Sequence, residues 1–486
     1  MKGGGSCREV ERRILRLLHG HKTRTQLPQI HAHFLRHYLH QSNQILSHFV
    51  SVCSSLSKMP YAHLVFRQTH NPNIFLFNSM IKGYSLSPPF ENSLQLFSDM
   101  KRRGIWPDEF TFAPLIKSCS NLLDLRAGEG VQAAVIALGF ERFGSIRIGV
   151  SELYVACGRM DDAQKLFNEM PHRDVIVWNL MIRGFFQIGD VEMCLRLFGQ
   201  MSERSIASWN IMISGLARSG RDTEALEVFH EMRECGFGLD EATVVSILPV
   251  CARLGAVDSG ERIHSYAMSS GLYLDNISVG NSLVDFYCKC GILETGFTLF
   301  KDMPRKNIVS WNTMISGMAF NGKGELGINL FEEMISKGVN PNDATFVGVL
   351  ACCAHAGFVQ KGRDLFAAMT KEYLIDPKLE HYGSMVDLLG RSGCVKEAHD
   401  LICTMQMKPN AAIWGALLSA CHTHNNMELA EHAVKWLIDL EPWNSGNYVL
   451  LSNIYAERGK WNEVETVRML MRETSVKKAP GQSMVG

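Results

Sequence analysis

The sequence has no surplus of charge of either sign, since 49 Lys and Arg residues are matched by 49 Asp and Glu residues. A surface that attracts nucleic acid everywhere is therefore excluded, and any such site must be a local arrangement. The 14 cysteines include no Cys-x-x-Cys pair, and many stand at apolar helix positions, as expected for buried free thiols in a reducing compartment. No apolar run approaches the roughly 18 residues of a membrane-spanning helix, so no membrane partner is expected.

Catalytic and cofactor-binding motifs are equally scarce. The segment Gly317–Gly324 (GMAFNGKG) is one residue short of a phosphate-binding loop, and Gly324 stands where such a loop carries a Ser or Thr for magnesium. His422 and His424 form a His-x-His near a cysteine, but no second ligand pair follows. We interpret the glycine-rich segment as a turn between helices. We expect no metal site, no cofactor, no catalytic residue and hence no enzymatic activity.

Internal repetition is what the sequence has in abundance. The segment 308–342 reads IVSWNTMISGMAFNGKGELGINLFEEMISKGVNPN, and similar segments begin at residues 74, 175 and 206. The units are 31 to 36 residues long, and three classes of unit alternate. Periods of this length indicate stacked repeats. We divide the chain into an N-terminal segment (1–42), eleven repeats (43–410) and a C-terminal extension of two degenerate units (411–486).

Each unit has the pattern of two antiparallel helices. In 206–240 the first helix carries Trp209, Met212 and Leu216 at helical spacing, Ser219-Gly220 forms the turn, and Phe229 lies on the second helix. Neither helix has an apolar face wide enough to fold alone, so neighbouring pairs must bury one another. The predicted fold is all-α, a right-handed α-solenoid, in which the Trp, Phe and Met residues form the core.

The N-terminal segment (1–42) is basic and has two interpretations. Its arginines and lysines outnumber its acidic residues, and Ile14, Leu15, Leu17 and Leu18 give it a helical apolar face. It is either the first helix of the array with a solvated basic face or an organelle transit peptide, although serine is sparse for the latter.

The repeat resembles the pentatricopeptide repeat. The shared features are Asn fifth, Gly tenth, Ala twentieth, Leu-Phe at 23–24, Met at 27 and Pro-Asp or Pro-Asn at the end. The three alternating classes resemble the plant subgroup with standard, long and short repeats, and the tail from Ala412 to Ser483 resembles its E-type extension. The tetratricopeptide repeat is the competing interpretation, but it places its Gly eighth and its Pro near position 32.

The resemblance implies that the fifth and last residues of a repeat read one RNA base. Asn offers a donor and an acceptor on a short stem, and an Asp or Asn at the end can hold that amide. The apolar second residue (Phe75, Ile176, Ala207 or Val309) is expected to pack on base faces. The alternative is that the fifth Asn caps the first helix.

The family's pairing rules carry over to six pairs. They are Ser47 with Asn73 for adenosine, Asn78 with Asp108 and Asn210 with Asp240 for uridine, Asn179 with Ser205 for cytidine, and Asn281 with Asn307 and Asn312 with Asn342 for either pyrimidine. Five pairs depart from the pattern and receive no base: Ala113/Phe143, Ile148/Asp174, Val245/Asn276, Val347/Lys378 and Gly383/Asn410. The implied register from the N-terminal end is A-U-x-x-C-U-x-Y-Y-x-x.

The resemblance also implies a function. We expect a factor that binds single-stranded organelle RNA and selects sites for cytidine-to-uridine editing. The chain contains neither the His-x-Glu nor the Pro-Cys-x-x-Cys of zinc deaminases, so the extension is expected to recruit a DYW-type deaminase or other editing factors in trans. The alternatives are a factor for RNA splicing, stability or translation, and a protein scaffold. The expected compartment is the mitochondrion, with the chloroplast as the alternative.

Overall fold

The protein was analysed as a computed structural model that describes residues 15, 16, 18 and 26–473. All regular structure in this part of the chain is helical. Among these residues no helix combines the length and apolar character that crossing a bilayer requires. Most of the predicted N-terminal segment, including its basic and apolar residues before position 15, lies outside the described residues.

The chain divides into two compact units, residues 1–220 and 221–486. The described helices of the first unit are α1 (Gln26–Arg36), α2 (Asn43–Ser55), α3 (Met59–Arg67), α4 (Ile74–Leu86), α5 (Glu91–Arg102), α6 (Glu109–Leu122), α7 (Leu125–Ala137), α8 (Gly144–Ala156), α9 (Met160–Glu169), α10 (Val175–Ile188), α11 (Val191–Gln200) and α12 (Ile206–Arg218).

The described helices of the second unit continue the series. They are α13 (Asp222–Glu234), α14 (Glu241–Leu254), α15 (Val257–Ser269), α16 (Leu272–Asp275), α17 (Ile277–Lys289), α18 (Leu293–Asp302), α19 (Ile308–Phe320), α20 (Gly324–Ser336), α21 (Asp343–Ala356), α22 (Val359–Lys371), α23 (Leu379–Arg391), α24 (Val395–Cys403), α25 (Ala411–Thr423), α26 (Met427–Leu440), α27 (Ser445–Glu457) and α28 (Trp461–Glu473).

Within each unit the helix pairs stack in chain order. In each unit, the first helices of successive pairs form a row in which each packs against the next. The row is α2, α4, α6, α8, α10 and α12 in the first unit, and α14, α17, α19, α21, α23 and α25 in the second. Aromatic rings fill the space between a second helix and the following first helix: Phe198 meets Trp209 edge-on at 4.9 Å, and Phe300 meets Trp311 at 5.0 Å. The prediction of an all-α chain of stacked helix pairs is confirmed, and Trp209 is fully buried.

The tenth residue of the repeat is Gly because a neighbouring helix pair occupies the place of its side chain. A Cβ on Gly83 would lie 2.5 Å from Cε of Met59, and one on Gly184 would lie 2.6 Å from Sδ of Met160. The predicted turn in Gly317–Gly324 is also confirmed. It joins α19 to α20 through Gly322, whose φ of 68° favours glycine.

Candidate functional site

The last residue of a repeat caps the first helix of the next. The Asp108 carboxylate accepts from the N–H of Thr111 at 3.0 Å, and Thr111 Oγ1 accepts from the N–H of Asp108 at 3.1 Å. Asn342 and Thr345 form the same reciprocal box at the start of α21. Asn78 lies inside α4, as its fifth residue. The interpretation of the fifth Asn as a helix cap is therefore wrong. The capping position of α4 is filled by Asn73, the last residue of the preceding repeat.

The Asn78 side chain is held at both ends by the next repeat. Its Nδ2 donates to Asp108 Oδ1 at 2.9 Å, and its Oδ1 accepts from the Thr111 hydroxyl at 2.7 Å. The pair predicted from a spacing of 30 residues is thus a direct contact. Thr111 completes it and was missed, since nothing in the fifth-and-last pattern points to a third residue.

Asn312 repeats this arrangement in the second unit. Its Nδ2 donates to Asn342 Oδ1 at 2.9 Å, and its Oδ1 accepts from the Thr345 hydroxyl at 2.7 Å. Only 9% of Asn312 is exposed, and Thr345 is fully buried. The Asn312 amide uses one of its two N–H donors and one of its two oxygen lone pairs in these bonds. The other N–H and the other lone pair are left for another partner.

Asn179 and Asn281 stand at the same repeat position but are not held in this way. The Oδ1 atoms of both are buried and have no hydrogen-bond partner among the described residues. A buried unsatisfied amide oxygen costs about 1–3 kcal/mol, so each of these side chains gains when a donor reaches it.

The caps that follow these two asparagines carry serine three residues on. Ser205 caps α12 and shares a reciprocal box with Ser208, their hydroxyls 3.0 Å apart. Asn307 caps α19, where its Oδ1 accepts from the Ser310 hydroxyl at 3.1 Å. The predicted pairs Asn179/Ser205 and Asn281/Asn307 therefore contain a formed cap but an amide oxygen without a partner.

The remaining two pairs differ from these. Ser47 turns back into its own helix, where its hydroxyl donates to the Asn43 carbonyl at 2.8 Å. Asn73 caps α4, and its N–H donates to the Asn43 side chain at 3.1 Å. Asp240 forms a capping box with Thr243 at the start of α14. Asn210 and Asp240 lie in different units, and their pairing stays a prediction.

Large apolar side chains are exposed beside the row of asparagines. The second residue of each repeat precedes the fifth by three, so the two share a helix face. Phe75 is 69% exposed, Ile176 62% and Val309 52%. These side chains are thus accessible, and their packing on base faces stays a prediction.

The pair Val347/Lys378, which departs from the family's pattern, has different contacts at the start of α23. Lys378 precedes the helix and its side chain pairs with the Asp343 carboxylate. His381 is fully buried, accepts from the Lys378 N–H through Nδ1 at 2.9 Å and lies 2.9 Å through Nε2 from the Asp343 carbonyl. The last residue of this repeat is thus engaged in an exposed ion pair, and its fifth residue, Val347, has no amide, in keeping with the absence of a base assignment for Val347/Lys378.

The buried cysteines behave as packing residues. Burial raises the pKa of the Cys288 and Cys352 thiols to about 12, which leaves them protonated and inert at neutral pH. No group of three or more His, Cys, Asp or Glu side chains suited to a metal occurs in residues 26–473.

The model described as "PPR repeat family" matches residues 72–121 and 306–355, and "PPR repeat" matches 152–175, 176–206, 207–237, 281–308 and 380–409. A pentatricopeptide repeat-containing protein of Arabidopsis thaliana is 60% identical over 98% of this chain and 99% of its own length. The chain belongs to the pentatricopeptide repeat family. The "E motif" model matches residues 424–486, so the predicted resemblance is confirmed for the pentatricopeptide repeats and for the E-type extension.

Two further similarities complete the comparison. A putative pentatricopeptide repeat-containing protein of Arabidopsis thaliana, described as chloroplastic, is 40% identical over 97% of this chain and 86% of its own length. Among solved structures, the pentatricopeptide repeat protein PPR10 from maize, in complex with an 18-nucleotide RNA element, matches with a TM-score of 0.47 and 17% identity. That match covers 90% of this chain and 75% of PPR10.

Proposed function

We propose that this pentatricopeptide repeat protein binds single-stranded RNA by sequence and selects cytidines for conversion to uridine by a deaminase that another chain supplies. The RNA-binding part of this proposal rests on the contact between the fifth and last residues of a repeat, which we call a junction. Asn78 with Asp108, and Asn312 with Asn342, join neighbouring repeats through one hydrogen bond each, 30 residues apart in sequence. A fixed amide at each junction can meet one base, as in other helical-repeat RNA readers.

The chemistry of a junction suits a base edge. After its bonds to Asn342 and Thr345, the Asn312 amide retains one N–H donor and one acceptor lone pair, which match the Watson–Crick edge of a pyrimidine. Val309, exposed three residues before it, offers an apolar surface for the face of the base. Because the chain has no net charge, we expect few phosphate contacts and an affinity for RNA that falls only weakly as salt rises.

The E motif supports the editing role. The repeats hold one RNA segment, and the C-terminal extension brings a deaminase to a cytidine 3′ of that segment. Both molecules on one RNA raise the local concentration of deaminase at a single base, so selection follows from position alone. This chain contributes binding and placement, and the hydrolytic step belongs to its partner.

The compartment we propose is a plant organelle. Support comes from the relatives described as chloroplastic, which are 33% and 40% identical to this chain. We propose the mitochondrion, with the chloroplast as the competing assignment, and import of a fluorescent fusion distinguishes them.

The RNA-binding part is tested by gel shift. Asn210→Ala and Asn312→Ala are expected to weaken binding to RNA that fits the register, while binding to RNA altered at the facing base changes little. Equal binding of all RNAs by the unmodified protein would favour a protein scaffold instead.

The editing part is tested by sequencing organelle RNA from a plant line that lacks the gene. We expect one or a few cytidines to remain unconverted, each shortly 3′ of a sequence that fits the register A-U-x-x-C-U-x-Y-Y-x-x. An unspliced intron or a lost transcript end, with editing complete, would assign the protein to RNA processing instead.

A further inference from the structure

We propose that the third residue of a repeat sets how sharply the preceding repeat discriminates between pyrimidines. Thr111 and Thr345 hold the amides of Asn78 and Asn312 in one orientation, and we name these two the locked asparagines. Ser208 and Ser310, at the matching positions, leave Asn179 and Asn281 unlocked. The inference rests on the proposed RNA-binding function and adds a positioning residue to each junction.

The lock follows from counting protons and lone pairs at Asn342. Its Oδ1 accepts from the Thr345 N–H at 3.1 Å and from Asn312 Nδ2 at 2.9 Å, which fills both lone pairs. The Thr345 hydroxyl accepts from the Asn342 N–H at 3.0 Å. Its single proton can reach Asn312 Oδ1 at 2.7 Å or Asn342 Oδ1 at 3.0 Å, and we assign it to Asn312 because the lone pairs of the Asn342 oxygen are already filled. The Asn342 oxygen that faces the Asn312 amide can therefore only accept, because the Thr345 N–H fixes its orientation.

A locked amide is held against turning over. Turning the Asn312 amide would place its oxygen against the Asn342 oxygen, and its N–H₂ could meet the Thr345 hydroxyl only if that proton turned to Asn342 Oδ1, 3.0 Å away. The turn therefore replaces the hydrogen bond to Asn342 with a repulsive contact between two oxygens. At Asn78 the restraint has the same form, because the Asp108 carboxylate can only accept. The free N–H and the free lone pair consequently keep one order along the base edge.

The unlocked junctions lack this restraint. Ser310 donates to Asn307 Oδ1 at 3.1 Å, and the oxygen of Asn281 is left buried without a partner. Threonine is β-branched, so its hydroxyl has fewer accessible rotamers than that of serine, and its direction is better defined. With no donor on its oxygen, the Asn281 amide is free to turn and offer either order of donor and acceptor.

This difference matters because uracil and cytosine present opposite patterns. Uracil has an N3–H donor beside a carbonyl acceptor, whereas cytosine has an N3 acceptor beside an N4–H donor. An amide of fixed order matches only one of them, and an amide that turns over matches both. Locked junctions should therefore separate the two pyrimidines more sharply than unlocked junctions, which keep only the preference that the last residue of the repeat imposes.

The chain contains a matched internal comparison. Asn281/Asn307 and Asn312/Asn342 present the same two residue types at the fifth and last positions, and they differ in Ser310 against Thr345. For the wild-type full chain, we expect the ratio of dissociation constants for uridine and cytidine to be about tenfold larger at the base facing Asn312 than at the base facing Asn281, the factor that one hydrogen bond supports. The base that faces each asparagine is identified as the position at which Asn281→Ala or Asn312→Ala loses base preference.

The variants are Thr345→Val and Ser310→Ala. Thr345→Val removes the hydroxyl but keeps the branched shape, and it should reduce the pyrimidine ratio at the base facing Asn312 to that seen at Asn281, with other positions unchanged. Ser310→Ala removes a capping box of the same kind where no lock exists, so it should lower thermal stability and leave every ratio unchanged. Thr111→Val repeats the test at Asn78 and stands in if Thr345→Val does not fold.

Two outcomes overturn the proposal while RNA recognition stands. One is an equal pyrimidine ratio at the bases facing Asn281 and Asn312 in the wild-type protein. The other is a Thr345→Val protein that binds all RNAs more weakly by one factor, which would make Thr345 a helix cap alone. A wild-type protein without base preference at any position is a different result, because it refutes the proposed function itself.

Discussion

Replacement of Asn342 by alanine removes a helix cap and a junction contact together. Asn342 Oδ1 accepts from the Thr345 N–H and from Asn312 Nδ2. Loss of the cap costs about 1–2 kcal/mol. The Asn312 amide, only 9% exposed, also loses its acceptor, which adds about 1 kcal/mol. We expect the free energy of unfolding of the variant to fall by about 2–3 kcal/mol in total.

Asn410 provides the matched control in the same unit. It caps α25 by accepting from the Ile413 N–H at 3.1 Å, but the fifth residue of the preceding repeat is Gly383, so no amide depends on it. Asn410→Ala should therefore cost the cap alone, about 1–2 kcal/mol, which is about 1 kcal/mol less than Asn342→Ala. Urea unfolding followed by circular dichroism measures both variants. Equal losses for the two, or a loss at Asn342 smaller than at Asn410, would refute the reasoning that the last residue serves both helix and junction.

Three further predictions concern one close contact, one ion pair and the burial of the cysteines. Gly324→Ala should lower the melting temperature markedly in a thermal scan, because its Cβ would meet the Cys352 carbonyl, which is backbone and cannot move aside. The Arg253 guanidinium, bonded to both oxygens of Asp222, lowers the pKa of that carboxyl below 3.8. Its stabilising effect is present above pH 3.8 and lost as pH falls through the depressed pKa, so urea unfolding of Arg253→Met and wild type should converge in acid. Iodoacetamide at pH 8 should label exposed Cys235 and spare buried Cys352, as peptide mass spectrometry of the folded protein will show.

Much of the architecture is predictable from the sequence because the same packing of one helix pair on the next recurs in every repeat. The aromatic and methionine stripes around Trp209 and Trp311 recur at helical spacing, and each Gly at position ten marks a close approach. The fifth-and-last pairing is predictable too, since a spacing of 30 residues brings Asn78 to Asp108 across one helix pair.

Other features of the site depend on geometry that a residue pattern does not contain. The capping role of Asp108 and Asn342 was available from their position before an apolar run with a hydroxyl residue three places on, which is the pattern of a capping box. The contact of Thr345 with Asn312 was not, because it joins residues 33 positions apart through rotamers fixed only in the packed structure. The same holds for the buried, unpartnered oxygens of Asn179 and Asn281.

The most direct test of base reading at the junctions is selection of RNA from a randomised single-stranded pool by the full chain. The wild-type protein should enrich sequences that fit the register, and Asn312→Ala should lose the preference at one position only. Enrichment of no sequence by the wild-type protein, or loss of preference at all positions together in Asn312→Ala, would contradict the claim that each junction reads one base.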